Sequence, residues 1–279
     1  MAYIIAVVNN KGGVGKSTVS ANLAHAYTLR NKNSRVLAVD LDSQCNLTEL
    51  FTKPVVVDAS LYELLSDKTV PVNEVIYPTD YANVYVLPNV PDTASLEPGL
   101  IRRKDYGWTV LRARLRDYVL ANFELTIIDC PPNLGLFVIQ ALTCADFVLV
   151  PIEGGSRWAI KGLVGTIKTI EETQKALNPD LRFLRLLINK VDMRTSMARA
   201  TNEQVREWYK EKVCNTIIPF STSVQQAENR LLTVLRHSRY SATSKAFKAL
   251  ADELSGLLNA EDNTQLSFKN ARGGRSVNA

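Results

Sequence analysis

The apolar segment Tyr3–Val8 runs without a break into Asn9-Asn10-Lys11-Gly12-Gly13-Val14-Gly15-Lys16-Ser17-Thr18, and a helical pattern opens directly behind it. No other feature of the chain narrows its fold as much. Closely spaced glycines free consecutive backbone N–H groups to curl around an anion, and the positive end of the following helix adds its dipole. Lys16 supplies a point charge for β- and γ-phosphates, and Ser17 offers its hydroxyl to Mg²⁺. Gly12, Gly13, Val14, Gly15 and Thr18 complete the cradle. The strict G-x-x-x-x-G-K-[ST] spacing fails, because Asn10 stands at the first glycine position; a second lysine, Lys11, precedes the glycines instead. Strand, phosphate loop and helix in this order predict a P-loop site for ATP and Mg²⁺.

Strand and helix signals then alternate to the end of the chain. Tyr3–Val8, Arg35–Asp40, Val84–Pro88, Leu125–Asp129, Phe147–Pro151 and Phe183–Ile188 are short and apolar at their centres, the pattern of parallel strands buried on both faces. Helices are expected over Ser17–Arg30, Tyr106–Leu120, Leu134–Thr143, Ala159–Ala176, Thr201–Lys212 and Ala242–Leu258. The pattern predicts an α/β fold with a doubly wound, mostly parallel sheet and helices on both faces. One domain over residues 1–258 is expected, followed at 259–279 by a polar, aperiodic and basic tail with the composition of disorder.

Two further strands end in carboxylates. Arg35–Asp40 is followed by Leu41-Asp42-Ser43-Gln44, and Leu125–Asp129 by Cys130-Pro131-Pro132. In a parallel sheet these ends gather beside the phosphate loop, where carboxylates reach Mg²⁺ or its waters. Asp129 suits the Walker B role of holding a metal-bound water, and either Asp40 or Asp42 suits the orientation of an attacking water. Each alone would read better as a turn or cap aspartate; the three segments in order point to a site. Other chemistries find little support. The two histidines, His25 and His237, are far apart, and Cys45, Cys130, Cys144 and Cys214 lack metal-ligand spacing, so they read as buried small hydrophobes of a reducing compartment. No apolar run is long enough for a membrane span, and the first residues read as a strand rather than a leader, so a cytoplasmic location is expected.

KGGVGKST, DLDSQCNLT and IIDCPPNLGLFVIQAL together resemble the deviant Walker A, switch I and Walker B/switch II motifs of the ParA/MinD ATPases, most of all the ParA (Soj-like) partition group. The resemblance spans roughly residues 2–258 and implies an ATP-dependent sandwich homodimer. In it Lys11 would be the signature lysine reaching the partner's nucleotide, and Asp42 the residue required for hydrolysis. Ser17, Asp40 and Asp129 would lie at the metal, while Asn189 and the backbone of Pro219 would meet adenine. The residues of switch I depart from D-x-D-P-Q-G-N, with Ser43 and Cys45 in place of proline and glycine.

Family members of this group bind DNA nonspecifically as ATP dimers, and a ParB-like or other cargo-bound partner stimulates hydrolysis; nucleoid association is implied. From Arg182 onward the chain holds 16 Lys/Arg against 9 Asp/Glu, whereas the preceding residues hold 17 against 19. A basic final third suits a polyanion partner, and a solvated surface is an equal reading of charge alone. Arg194 matches one basic position of the family's DNA surface. The I-P-R-N-V-R run reads Ile218-Pro219-Phe220-Ser221-Thr222-Ser223 here, without either arginine. Arg199, Arg236 and Arg239, with Arg230, Lys245 and Lys248, are candidates to compensate. Arg102, Arg103, Lys104, Arg112, Arg114 and Arg116 form a second basic cluster, read as a solvated helix face before a partner surface. With the first strand at the start, an operator-reading extension is not expected. A MinD-like role on membrane would need an amphipathic end helix, and Leu266–Ala279 does not read as one.

Overall fold

The computed structural model describes residues 2–52, 57–103, 107–155 and 157–260. The expected tail from 261 onward, Lys104 and Tyr106 lie outside the described residues. Eight strands form one sheet: β1 (Tyr3–Val7), β2 (Val36–Asp40), β3 (Tyr77–Pro78), β4 (Val84–Leu87), β5 (Leu125–Asp129), β6 (Phe147–Glu153), β7 (Arg182–Val191) and β8 (Val213–Pro219), in the order β3-β4-β2-β5-β1-β6-β7-β8. All neighbours are parallel except β3, which pairs antiparallel with β4 at one edge. The helices are α1 (Lys16–Arg30), α2 (Asn46–Thr52), α3 (Leu61–Ser66), α4 (Glu97–Arg102), α5 (Val110–Asn122), α6 (Leu136–Cys144), α7 (Arg157–Ala176), α8 (Ser196–Tyr209), α9 (Thr222–Glu228), α10 (Val234–His237) and α11 (Ala242–Asn259).

The two-residue period of the strands sorts the core into two layers. Ile4, Ala6 and Val8 face one layer with Leu37, Val39 and Ile128, against α5, α6, α7 and α8. Ile5 and Val7 face the other with Val36, Ala38, Leu125 and Ile127, against α1, α2 and α11. These strand residues are fully buried, and each large aliphatic side chain contributes about 1.5–3 kcal/mol of hydrophobic stabilisation. Both faces of the sheet are thus covered, which is why its strands read as unbroken apolar runs rather than alternating ones.

The strand ends are level where it matters. Val7 pairs with Asp129 and Asp129 with Asp40, so β1, β5 and β2 finish side by side at the carboxyl edge. The loop after β1 opens onto that edge.

Several elements differ from the expected ones. Strand β8 was not expected, because an edge strand needs only part of its surface buried and Asn215 and Thr216 interrupt its apolar run. Helix α8 starts at Ser196 rather than Thr201, since the Thr195 hydroxyl accepts from the Ala198 amide and caps it. Strand β7 runs to Val191, beyond Ile188, and carries Asn189 inside the sheet. In the second basic cluster, the α5 arginines serve the fold. Arg112 donates to the Thr143 carbonyl (2.6 Å) and Arg116 to that of Cys144 (2.5 Å), satisfying the carboxyl end of α6. Arg114 donates to the carbonyls of Asp67 and Val70.

Helix α1 is tied to α10 by a polar contact inside the second layer. His25 Nδ1 meets Thr233 Oγ1 at 2.7 Å, and its ring packs edge-on against Tyr81 at 4.6 Å. Burial, with Arg236 and Lys248 nearby, pulls the imidazole down to about 4, so it is neutral in the folded chain. A group whose folded value lies below its unfolded 6.5 contributes stability that is present above pH 6.5 and lost as pH falls toward 4. Urea unfolding across this window should show a loss on the order of 3 kcal/mol, and His25→Gln should flatten it. Identical slopes in both proteins would contradict the contact's role.

Candidate functional site

The loop between β1 and α1 is built by two left-handed glycines. Gly13 has φ +77° and Gly15 φ +86°, a region that L side chains rarely adopt, so these positions require glycine. A Cβ on Gly15 would also stand 2.6 Å from Asn189 Nδ2. The loop borders a cleft, and three of its carbonyls accept side-chain hydrogen bonds. Lys190 Nζ donates to the Gly13 carbonyl at 2.8 Å, Asn189 Nδ2 to that of Val14 at 2.8 Å, and Lys16 Nζ to that of Lys11 at 3.3 Å. At the loop's start, the Lys11 amide donates to Asn9 Oδ1, and Asn9 Nδ2 donates to the Pro151 carbonyl.

The cleft holds about 500 Å³ and is lined on one side by Gly12, Gly13, Gly15, Lys16, Ser17 and Thr18. Asp42, Gln44 and Glu49 line the side next to β2, and Val224, Glu228, Leu231 and Leu232 close the far wall. Its size and mixed lining suit a nucleotide. Lys16 is buried; desolvation pulls its ammonium below the ordinary value, against the opposing fields of Asp129, Cys130 and Asp42. An anion in the loop would oppose that pull.

The three sequence-predicted aspartates take different places. Asp129 is fully buried; its Oδ1 accepts from the Ser20 hydroxyl at 3.0 Å, and its Oδ2 has no hydrogen-bond partner. Burial, with Asp40 alongside, raises its carboxyl well above the usual range, while Ser17, Ser20 and Lys16 pull the other way. Asp40 is also fully buried and raised by desolvation. Its Oδ1 accepts the Asp42 amide (3.0 Å), and its Oδ2 accepts both the amide and the hydroxyl of Thr48 (2.9 and 2.8 Å). Asp40 therefore folds the segment that presents Asp42. Asp42 lines the cleft, with its Oδ1 accepting from the Gln44 amide at 3.1 Å. Cys45 turns this segment at φ +56°, the left-handed conformation that explains a glycine at this position in the family pattern.

An orphaned buried carboxylate oxygen beside a serine is an environment that a cation would satisfy. Among the described residues no group of three or more His, Cys, Asp or Glu is arranged to hold a metal unaided. The orphaned oxygen fits Mg²⁺, which keeps several waters and binds through one or two protein oxygens plus phosphates. The four cysteines are free and buried; burial pushes the thiols up, Cys45 and Cys144 to about 12.

Lys11 is held within its own chain, its Nζ 2.5 Å from Glu153 Oε2. Sequence reasoning missed Glu153, although its place at the carboxyl end of β6 was a usable signal. It also missed Lys190 and Glu228, whose contacts to the loop cross long stretches of chain. Asn189 is buried, and neither it nor Pro219, at the end of β8, lines the cleft in this conformation. The arginines fall into two pairs. Arg194 makes a forked contact with Asp192 (2.8 and 2.7 Å), and Arg199 donates to the Met193 and Arg194 carbonyls after β7. Arg236 stands 3.8 Å from Asp80 and over Tyr81, beside the β3–β4 turn, and Arg239 stacks on Tyr240. Phe220, at a missing family arginine, is 51% exposed.

A level set of parallel strand ends, a glycine loop with its carbonyls tied back, a buried lysine and facing carboxylates define a P-loop nucleotide-binding protein. A family profile described as an AAA domain matches residues 2–183. The chain is 34% identical over 253 residues to the chromosome partitioning protein ParA of Myxococcus xanthus, covering 90% of this chain and 87% of the relative. It is 35% identical over 250 residues to the chromosome-partitioning ATPase Soj of Thermus thermophilus, covering 90% and 94%. Among solved structures, one described as cobyrinic acid a,c-diamide synthase of Mycobacterium smegmatis with bound ADP and magnesium aligns with TM-score 0.78 and 31% identity, over 93% of this chain and 96% of that one. The cell division ATPase MinD of Pyrococcus furiosus aligns with TM-score 0.72 and 27% identity, over 92% and 100%. The chain belongs to the ParA/MinD family of P-loop ATPases.

Asn189→Ala should leave the buried Val14 carbonyl without its donor and lower the stability of the nucleotide-free protein by about 1–3 kcal/mol. Urea denaturation checks this; an unchanged midpoint would mean that the amide does not support the loop.

Proposed function

We propose that this chain is an ATP-driven switch that dimerises on ATP, binds DNA without sequence preference and positions a plasmid, a chromosome or another cargo. The observation that carries the reading is Lys11, a second lysine at the loop's mouth whose charge is met by Glu153 in the single chain. Two nucleotides brought face to face concentrate negative charge in a low-dielectric interface, and a lysine from each partner would offset it. Lys11 would leave Glu153 for the partner's γ-phosphate. Loss of that phosphate on hydrolysis would end the dimer's support.

In this reading Gly12, Gly13, Val14, Gly15, Lys16 and Thr18 cradle the phosphates. Ser17 holds Mg²⁺, and Asp129 holds the ion's water through its unpaired oxygen. Bound Mg²⁺ neutralises charge on the β- and γ-phosphates. Asp40 lies beside Asp129 and holds the segment on which Asp42 orients the attacking water. Asn189, with the Pro219 backbone, meets adenine once the loop is filled. Turnover is slow without a partner, because no arginine faces the cleft among its lining residues. A ParB-like or cargo-adaptor protein would accelerate it.

The names of the Myxococcus and Thermus relatives support chromosome partition as the setting. Arg194, Arg199, Arg236 and Arg239 are the residues proposed to meet DNA phosphates, on a nucleoid-associated, cytoplasmic protein. No helix among the described residues is long and apolar enough to cross a membrane.

Asp42→Ala should stop hydrolysis while leaving an ATP-bound dimer, read by phosphate release and sedimentation; normal turnover would remove Asp42 from this role. Binding to a random-sequence duplex should require ATP and weaken steeply with salt, each phosphate contact adding about 0.9 to the log–log slope. Arg194→Ala and Arg236→Ala should each lower that slope by about one. No binding by an ATP-bound dimer would move the function to a membrane or protein matrix, which liposome co-sedimentation would reveal.

A further inference from the structure

Helix α6 starts a short way beyond Asp129, and its own residues do little to cap it. Its N-cap residue is Gly135, which has no side chain to offer the free amides, and its first turn holds no acidic residue. The cap comes from elsewhere in the chain. Glu97, the first residue of α4, accepts the Leu136 amide on its Oε1 at 3.2 Å, across 39 positions of sequence. A carboxylate there also meets the positive end of the helix. Glu97 is half-buried, and Leu96 and Leu100 on either side of it pack into the first core layer, which fixes the backbone beneath the carboxylate. The fit is close. A Cβ on Gly135 would stand 3.0 Å from the same Oε1, so any larger residue there would press on the contact.

What this contact secures is the chain between β5 and α6. Asp129 ends β5, and residues 130–135 lead from it to the helix. Within them Pro132 lines the nucleotide cleft, 3.9 Å from the place of a Cβ on Gly12 of the phosphate loop. Sheet pairing with Val7 and Asp40 fixes one end of this segment at Asp129. Asn133 Oδ1 accepts the Gly135 amide, but that bond lies within the segment and would move with it. Glu97 fixes the other end from outside. We infer that Glu97 is a positioning residue for ATP hydrolysis: by holding the start of α6, it keeps residues 130–135 aligned with Asp129 and the phosphate loop. Glu97 itself lines no part of the cleft. The inference rests on the nucleotide reading of the cleft, and it separates two properties. The glycine loop and Lys16 hold phosphates without α6, so ATP binding should survive the loss of Glu97. The alignment needed for turnover should not.

The test compares wild type, Glu97→Ala and Glu97→Gln as full chains, after thermal melting has shown that each is folded at the assay temperature. Should Glu97→Ala fail to fold, Glu97→Asp, whose reach is one methylene shorter, takes its place with the same expectations. Hydrogen exchange of the nucleotide-free proteins should be about tenfold faster at the start of α6 in Glu97→Ala, as expected for loss of a hydrogen bond to a charged group. Glu97→Gln, which keeps an acceptor oxygen, should exchange near the wild-type rate. Single-turnover hydrolysis of ATP with Mg²⁺ should be slower by about tenfold in Glu97→Ala, with half-saturation moved by about twofold at most. Glu97→Gln should recover most of that rate. Wild-type exchange in Glu97→Ala would overturn the anchor, and wild-type hydrolysis in a variant that exchanges faster would overturn its part in turnover. Equal losses of rate and affinity would overturn it too, as would a Glu97→Gln no better than Glu97→Ala. Failure of wild type to bind ATP at all would instead sink the nucleotide reading itself.

Discussion

A loop that aims several backbone amides at one anion must dispose of the carbonyls of the same peptides, and the phosphate side of this site depends on that constraint. Here the carbonyls are tied back. Lys190 and Asn189, from the end of β7, hold those of Gly13 and Val14, and Lys16 holds that of Lys11. The Val14 carbonyl is buried, and a buried carbonyl without a donor costs about 1–3 kcal/mol, so the Asn189 tie holds the loop before any ligand arrives. Positive φ at Gly13 and Gly15 makes the arrangement possible without steric strain. The carboxyl end of β7 is therefore part of the phosphate site, although it lies far along the chain.

The acidic half of the site follows a different logic. Asp40 and Asp129 are neighbours across paired strands, both fully buried; burial raises both carboxyls above their usual range, and Asp40 adds to the rise at Asp129. Asp40 spends its oxygens on the Asp42 and Thr48 amides and the Thr48 hydroxyl, which shapes the segment that carries Asp42 to the cleft. Asp129 keeps one oxygen without a partner. An arrangement that is costly empty and relieved by a cation stores a preference for the loaded state.

The parts of the fold carried by strong local patterns were legible from residues alone. The Tyr3–Val8 run, the glycine loop and the carboxylates closing Arg35–Asp40 and Leu125–Asp129 carry their chemistry within short windows, and the predicted sheet follows from them. What escaped was non-local or half-buried. Strand β8 is an edge, so its residues need not be uniformly apolar. Glu153 meets Lys11 and Glu228 meets Thr18 only because distant strands and helices converge on one edge of the sheet. The α5 arginines read as surface charge until the carbonyl end of α6 is seen to need donors. Cys45 stands where the family pattern has glycine, and its left-handed backbone gives the physical reason for that glycine.

The central claim is that Lys11 exchanges an internal partner for one across an ATP-dependent dimer. Sedimentation velocity on wild type and Lys11→Ala, each with Mg²⁺ and ATP or ADP, tests it most directly. The account predicts that wild type doubles in mass with ATP and not with ADP, while Lys11→Ala binds ATP and stays a monomer. A Lys11→Ala protein that dimerises with ATP as wild type does would contradict it.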